Sequence, residues 1–146
     1  MAAKSEVLPH EIRAAMQGAF PAHICSCSLD GSPNATLISQ VYYVDERHIA
    51  LSNQFFSKTA RNVRENPVVA ILLTEPESFD EWYLEARFER SESQGPVFET
   101  MDAQIEAIAS LTGMSDILKL KAADIFEVLS VSRYGGAASD PGGPRP

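Results

Sequence analysis

Long apolar runs are missing from this chain. No stretch of its 146 residues approaches the ~18 apolar residues that a membrane-crossing helix needs. The opening MAAKSEVLPHEIRAAM also lacks the apolar core of a secretion signal, so cytoplasmic residence is the expectation. Positive charge is scarce: 12 Lys+Arg against 20 Asp+Glu give a formal net charge of −8. That balance argues against nucleic acid, whose binding needs a broad basic surface. It leaves room for a small phosphorylated ligand, because a local basic seat works inside an acidic molecule. Cysteine is nearly absent. Cys25 and Cys27 are the only two, and a disulfide between them would be badly placed on a strand. His23, Cys25 and Cys27 share one strand face, but at ~3.3 Å per residue His23 and Cys27 stand roughly 13 Å apart. A single metal ion cannot bridge that span, so no metal is expected and the cysteines read as small buried hydrophobes. The histidines, His10, His23 and His48, lie in unrelated contexts and read as structural or surface groups. No Ser/His/Asp or Cys/His set is legible, and catalytic residues stay unassigned.

What is present is an ordinary globular composition, 45% hydrophobic and 22% charged, long enough for one domain with a real core. Leu8-Pro9-His10-Glu11-Ile12 opens a short helix whose Ile12 and Met16 face a sheet edge or barrel end. Ala22–Ser28, Asn34–Val44 and His48–Ser52 read as three strands linked by short turns, which favours antiparallel pairing. A helix over Ser57–Glu65 stops before Asn66-Pro67, since the residue preceding proline avoids helical geometry. VVAILLT, Val68–Thr74, is uninterruptedly apolar and predicts a central strand buried on both faces. Trp82–Ser91 alternates Trp82, Leu84, Ala86 and Phe88 against Tyr83, Glu85, Arg87 and Glu89, the pattern of a half-buried strand. Gly95-Pro96 starts a helix with an apolar stripe of Val97, Phe98, Met101, Ile105, Ile108 and Leu111, closed by Gly113. Ile125–Val131 is the last strand. The expectation is an α+β, mainly β fold, a six-stranded antiparallel Greek-key barrel with helices at its rims, over residues 1–134. Residues 135–146, GGAASDPGGPRP, read as a flexible Gly/Pro-rich tail.

The chemistry concentrates in Ser52–Pro67, SNQFFSKTARNVRENP. A helix N-terminus offers unpaired backbone N–H groups and the positive end of the helix dipole. Ser57, Lys58 and Thr59 stand at that point, with Arg61 and Arg64 following at three-residue spacing and no acid between Ser57 and Arg64. Two hydroxyls and a lysine there suit a phosphate. An ordinary capped surface helix with a basic face fits the same residues.

Taken together, these segments resemble the pyridoxamine 5′-phosphate oxidase-like, FMN-binding split-barrel proteins, over roughly Ala14 to Tyr134. The resemblance rests on Ser52-Asn53, Ser57-Lys58-Thr59, Asn66-Pro67 and the apolar strand Val68–Thr74. It implies a homodimer with FMN in a groove between subunits. It further implies phosphate contacts from Ser57, Lys58 and Thr59 with Arg61 in support, and a flavin ring edge lined by the backbone of Thr36, Leu37, Ile38 and Ser39. Ser52 and Asn53 would lie near the ribityl chain. Where the oxidase has Ser-Arg-Lys this chain has Ser-Lys-Thr. The oxidase's C-terminal Trp/Arg segment, which holds its substrate, has no counterpart beside the single Trp82. The implied function is an FMN-binding oxidoreductase for an unidentified small molecule, not a true pyridoxamine phosphate oxidase. The alternative is a non-catalytic module carrying flavin, haem or a deazaflavin for sensing or storage.

Overall fold

In the computed structural model of the protein, residues 4–5, 8–16, 20–38, 40–53 and 58–135 are described. They form β1 (Lys4–Ser5), a 3₁₀ turn (His10–Ile12) running into α1 (Arg13–Met16), β2 (Ala22–Cys27), β3 (Pro33–Ile38), β4 (Val41–Asp45) and β5 (His48–Asn53). There follow α2 (Lys58–Glu65), β6 (Val68–Thr74), β7 (Glu81–Glu92), α3 (Pro96–Thr112) and β8 (Ala122–Tyr134). All strand pairs are antiparallel, in the order β3-β2-β6-β7-β8-β5-β4 with β1 added alongside β8. The architecture is a split barrel of α+β class, and β3 and β4 are its two open edges.

Eight strands replace the expected six among the described residues. One addition is β1, whose two residues pair with Ser132 and Val131. The other arises because the single strand expected over Asn34–Val44 is two. Residues up to Ile38 pair with β2, whereas Val41 onward pairs with β5, so the chain changes partner between them. Gln40 marks the crossing: its N–H donates to Ser52 Oγ at 3.1 Å, and its carbonyl accepts the Ser52 N–H at 3.1 Å.

The barrel core follows from strand alternation. Ile24, Ile71, Leu84 and Val131 are successive cross-strand partners over four strands, and each is at most 2% exposed. Burying side chains of this size is worth about 1.5–3 kcal/mol each. Leu8, Ile12, Ala15 and Met16 join the same core, with α1 lying against β4 and β6, so this helix plugs the barrel as its apolar face suggested. Trp82, Leu84 and Ala86 point inward and Phe88 packs at the rim, as the alternation in β7 required.

Two burial expectations need correction. β6 is central but buried on one face only: Val69, Ile71 and Leu73 are buried, while Val68 is exposed and Ala70 and Leu72 are half-buried. Its outer side continues a row through Leu37, His23, Leu72 and Tyr83, which no helix of the described chain covers. Cys25 and Cys27 sit on that outer face and are half-buried, not enclosed. In α3 the buried seam is Met101, Ile105 and Ala109, packed with Ala50, Ala123 and Ile125. That four-residue spacing carries Ile108 and Leu111 off the seam, and both are exposed. Gly113 closes the helix at φ 72°, a left-handed geometry that suits glycine.

Candidate functional site

α2 starts at Lys58; Ser57 and Ser39 lie outside the described residues. Its buried side is mostly polar, Thr59 and Asn62 with Val63 as the one apolar anchor. Thr59 Oγ1 accepts a hydrogen bond from Asn34 Nδ2 at 3.1 Å, and Asn62 Nδ2 donates to Ser26 Oγ at 3.1 Å. Ser26 and Asn34 are cross-strand partners, so two amide–hydroxyl pairs clamp α2 onto one end of the β2–β3 ribbon. The Thr59 hydroxyl therefore serves the packing of the helix. Lys58, Arg61 and Arg64 are exposed. Lys58 and Arg61 have no hydrogen-bond or ion-pair partner among the described residues.

β3 brings the next group. Ile38 is in the core, Thr36 faces inward opposite Ile24, and Leu37 points outward with 58% of its surface exposed. Their side chains are thus spent on the two faces of the sheet. What β3 offers along the split is its backbone, since β2 is its sole strand neighbour among the described residues. Ser52 is buried, and its hydroxyl accepts the Gln40 N–H, so it clasps β5 to the β3–β4 crossing. Asn53, half-buried at the end of β5, donates from Nδ2 to Asp124 Oδ2 at 3.2 Å. Its backbone carbonyl accepts the Lys121 N–H at 2.9 Å.

Three predicted segments are therefore linked. Asn34–Thr59 joins β3 to α2, and Gln40–Ser52 joins the crossing to β5. Asn53 then leads toward the start of α2. Sequence reasoning missed the groups that make these links: Asn34, Gln40, Ser91 and Asp124. Asp124 is 3% exposed, and Ser91 Oγ donates to its Oδ1 at 2.6 Å. Burial pushes its carboxyl above the ordinary range, against the hydrogen bonds of Ser91 and Asn53 and the nearby Arg64 charge. A lone acid between Ala123 and Ile125 was the available signal, overlooked because the last strand was expected to begin only at Ile125. The histidines stay outside this group. His48 is held at the surface by Asp45 (2.9 Å) and Glu89 (3.1 Å), and His10 and His23 are exposed.

Residues 8–129 match the sequence profile of the pyridoxamine 5′-phosphate oxidase family. The chain belongs to this family. No curated protein matches it in sequence. Among solved structures it is similar to an FMN-binding protein from Syntrophomonas wolfei subsp. wolfei, with a TM-score of 0.66 and 15% identity over 86% of this chain and 89% of that one. It is also similar to the haem storage protein HutZ from Vibrio cholerae, with a TM-score of 0.57 and 17% identity over 86% of this chain and 94% of the other. A third is an FAD-binding protein from Mesorhizobium loti, with a TM-score of 0.52 and 15% identity over 92% and 99% of the two chains. At these identities the likeness establishes the split-barrel fold, and the three similar proteins are described as holding FMN, haem and FAD.

Proposed function

We propose that this family member is a homodimeric FMN-binding protein of oxidoreductase type, acting on a small molecule other than pyridoxamine phosphate. The observation that carries the reading is the pairing of two cations, Lys58 and Arg61, at the start of α2 with the backbone edge of β3, neither of which is engaged among the described residues. The donor set suits the group. Lys58 and Arg61, with Ser57 and the proton of Thr59, would hold a phosphate. The edge from Thr36 to Ile38 offers alternating N–H and C=O groups of the kind that a flavin ring edge pairs with, and Ser39, Ser52 and Asn53 would complete the set. A bound flavin would supply hydride or electron transfer, with the chain providing binding, orientation and exclusion of water.

The apolar outer face supports the dimer. Leu37, Val68, Ala70 and Leu72 are only partly covered within one chain, and a second copy placed by a two-fold axis would cover them. A stable interface of this kind buries more than ~1,000 Å² in total. The reading against pyridoxamine phosphate rests on Trp82. It is 3% exposed and stacked under Arg133 at 4.7 Å, while that guanidinium is engaged by Asp80 and Glu75. Neither group is free to hold a second phosphate.

The test is Lys58→Ala, titrated with FMN and with riboflavin by flavin fluorescence. Loss of one charge-assisted hydrogen bond, about 1.5–3 kcal/mol, weakens FMN about ten- to hundred-fold and leaves riboflavin nearly unchanged. Equal losses for both ligands refute the phosphate seat. A wild-type protein that binds neither, or that releases haem or a deazaflavin on extraction and mass measurement, refutes the FMN assignment.

A further inference from the structure

We infer that Asp124 is a positioning residue that sets which end of the Asn53 carboxamide faces the cofactor groove, so that Asn53 presents a hydrogen-bond acceptor to the hydroxyls of a ribityl-type chain. This inference rests on the flavin reading above and adds a specificity element to it. The geometry is directional. Ser91 Oγ donates to one carboxylate oxygen of Asp124, at 2.6 Å, and Asn53 Nδ2 donates to the other, at 3.2 Å. A carboxyl oxygen with Ser91 on its neighbour accepts from Asn53, whose amide nitrogen is the end turned toward it. The carbonyl oxygen, Asn53 Oδ1, is then directed away from Asp124. Among the described residues it has no hydrogen-bond partner.

The surroundings fix this choice. Asp124 is cross-strand to Leu51 in β5 and to Ser91 in β7, so three strands meet at its carboxyl group. The backbone of Asn53 is also anchored, through its pairing with Ala122 and the Lys121 N–H on its carbonyl. With the backbone held and Nδ2 bonded at 3.2 Å, the freedom that bears on the groove is the flip of the amide. Asp124 removes it. An acceptor at this point favours a ligand rich in hydroxyl donors beside the ring and disfavours one that presents only acceptors there.

The experiment compares riboflavin with lumiflavin, which keeps the ring and lacks the hydroxylated chain, in wild type and variants whose folding is checked by thermal melting. In Asp124→Asn the Ser91 hydroxyl still donates to the new amide oxygen. That turns the amide N–H₂ of position 124 toward Asn53, which must flip and present N–H₂ to the groove. Riboflavin affinity should fall about 2- to 10-fold, the range for one neutral hydrogen bond, with lumiflavin unchanged. The exchanged pair Asn53→Asp with Asp124→Asn restores an acceptor facing the groove and should recover riboflavin binding. A purely structural role for Asp124 moves riboflavin and lumiflavin together and leaves their ratio unchanged. Should Asp124→Asn fail to fold, Asn53→Leu carries the test, because it removes the acceptor and leaves the carboxylate in place. An unchanged riboflavin-to-lumiflavin ratio in a folded variant overturns the inference, as does an exchanged pair no better than Asp124→Asn alone. If wild type binds no flavin, the cofactor reading fails first, and that outcome is distinct from either.

Discussion

Two neighbours on β6 separate the chemistry of the fold from that of assembly. Ile71 points into the barrel and is fully buried, whereas Leu72 points outward and is half-buried. Ile71→Ala should cost about 2–5 kcal/mol through lost burial and the cavity left behind. For a chain of this size that lowers the melting temperature by roughly 5–15 °C. Leu72→Ala removes a side chain whose exposed half would be covered in the proposed dimer, a loss of about 1 kcal/mol per copy. A two-fold interface uses the residue twice, so the dimer loses about 2 kcal/mol and its dissociation constant rises about 30-fold. Sedimentation equilibrium over a concentration series measures the second effect, and thermal unfolding of dilute protein measures the first. The reasoning is refuted if wild type is monomeric at micromolar concentration, or if Leu72→Ala dimerises as tightly as wild type.

Further outcomes concern the surface histidine and the docking of α2. Burial opposes the charge on His48, but its hydrogen bonds to Asp45 and Glu89 outweigh that and raise its pKa above 6.5. The stability it adds is thus fully present below the unfolded-state value and is lost as pH rises through the higher folded-state value. Partly exposed pairs of this kind are worth about 0.2–1 kcal/mol, so His48→Gln should melt ~1–3 °C below wild type at acidic pH. The gap should close by pH ~9; a gap that stays constant or widens contradicts the assignment. Asn62→Ala leaves the buried Ser26 hydroxyl without its partner and should cost about 1–3 kcal/mol in denaturant unfolding. Removing both groups, with Ser26→Ala added, should cost less than the sum of the two single changes, and simple additivity would count against the pair.

The parts of the fold that were legible are those fixed by local chemistry. Period-two alternation gave the faces of Trp82–Phe88, beyond which a register shift turns Ser91 toward Asp124, and the Gly95-Pro96 and Gly113 signals bounded α3 to the residue. The break between Ile38 and Val41 was not legible. Thr36-Leu37-Ile38 and Val41-Tyr42-Tyr43 carry the same strand preference, and the change of partner from β2 to β5 is a long-range event. VVAILLT misled for a related reason. A run apolar on both sides records that both faces prefer cover, and composition does not say whether the same chain supplies it. The candidate site divides in the same way. Lys58, Thr59 and Arg61 were readable because the needs of a helix start are local. The cluster at Asp124 was not, because its partners Ser91 and Asn53 are 33 and 71 positions away in sequence.

The way α2 is attached bears on why its cations face outward. A helix held by apolar contacts can rotate or slide at modest cost, because burial has no preferred direction. α2 has Val63 as its single buried apolar residue and relies on Asn34–Thr59 and Asn62–Ser26 for the rest. Hydrogen bonds weaken steeply with angle, so two of them one helical turn apart fix both the rotation and the register of the helix. With Thr59 and Asn62 turned to the sheet, Lys58 and Arg61, about 100° round the helix from them, are left exposed to solvent. In a chain of net charge −8 these cations carry no internal counter-ion among the described residues, which keeps them available to an incoming anion. Apolar docking would add stability but release that orientation, and the proposed phosphate seat would gain more from the fixed direction.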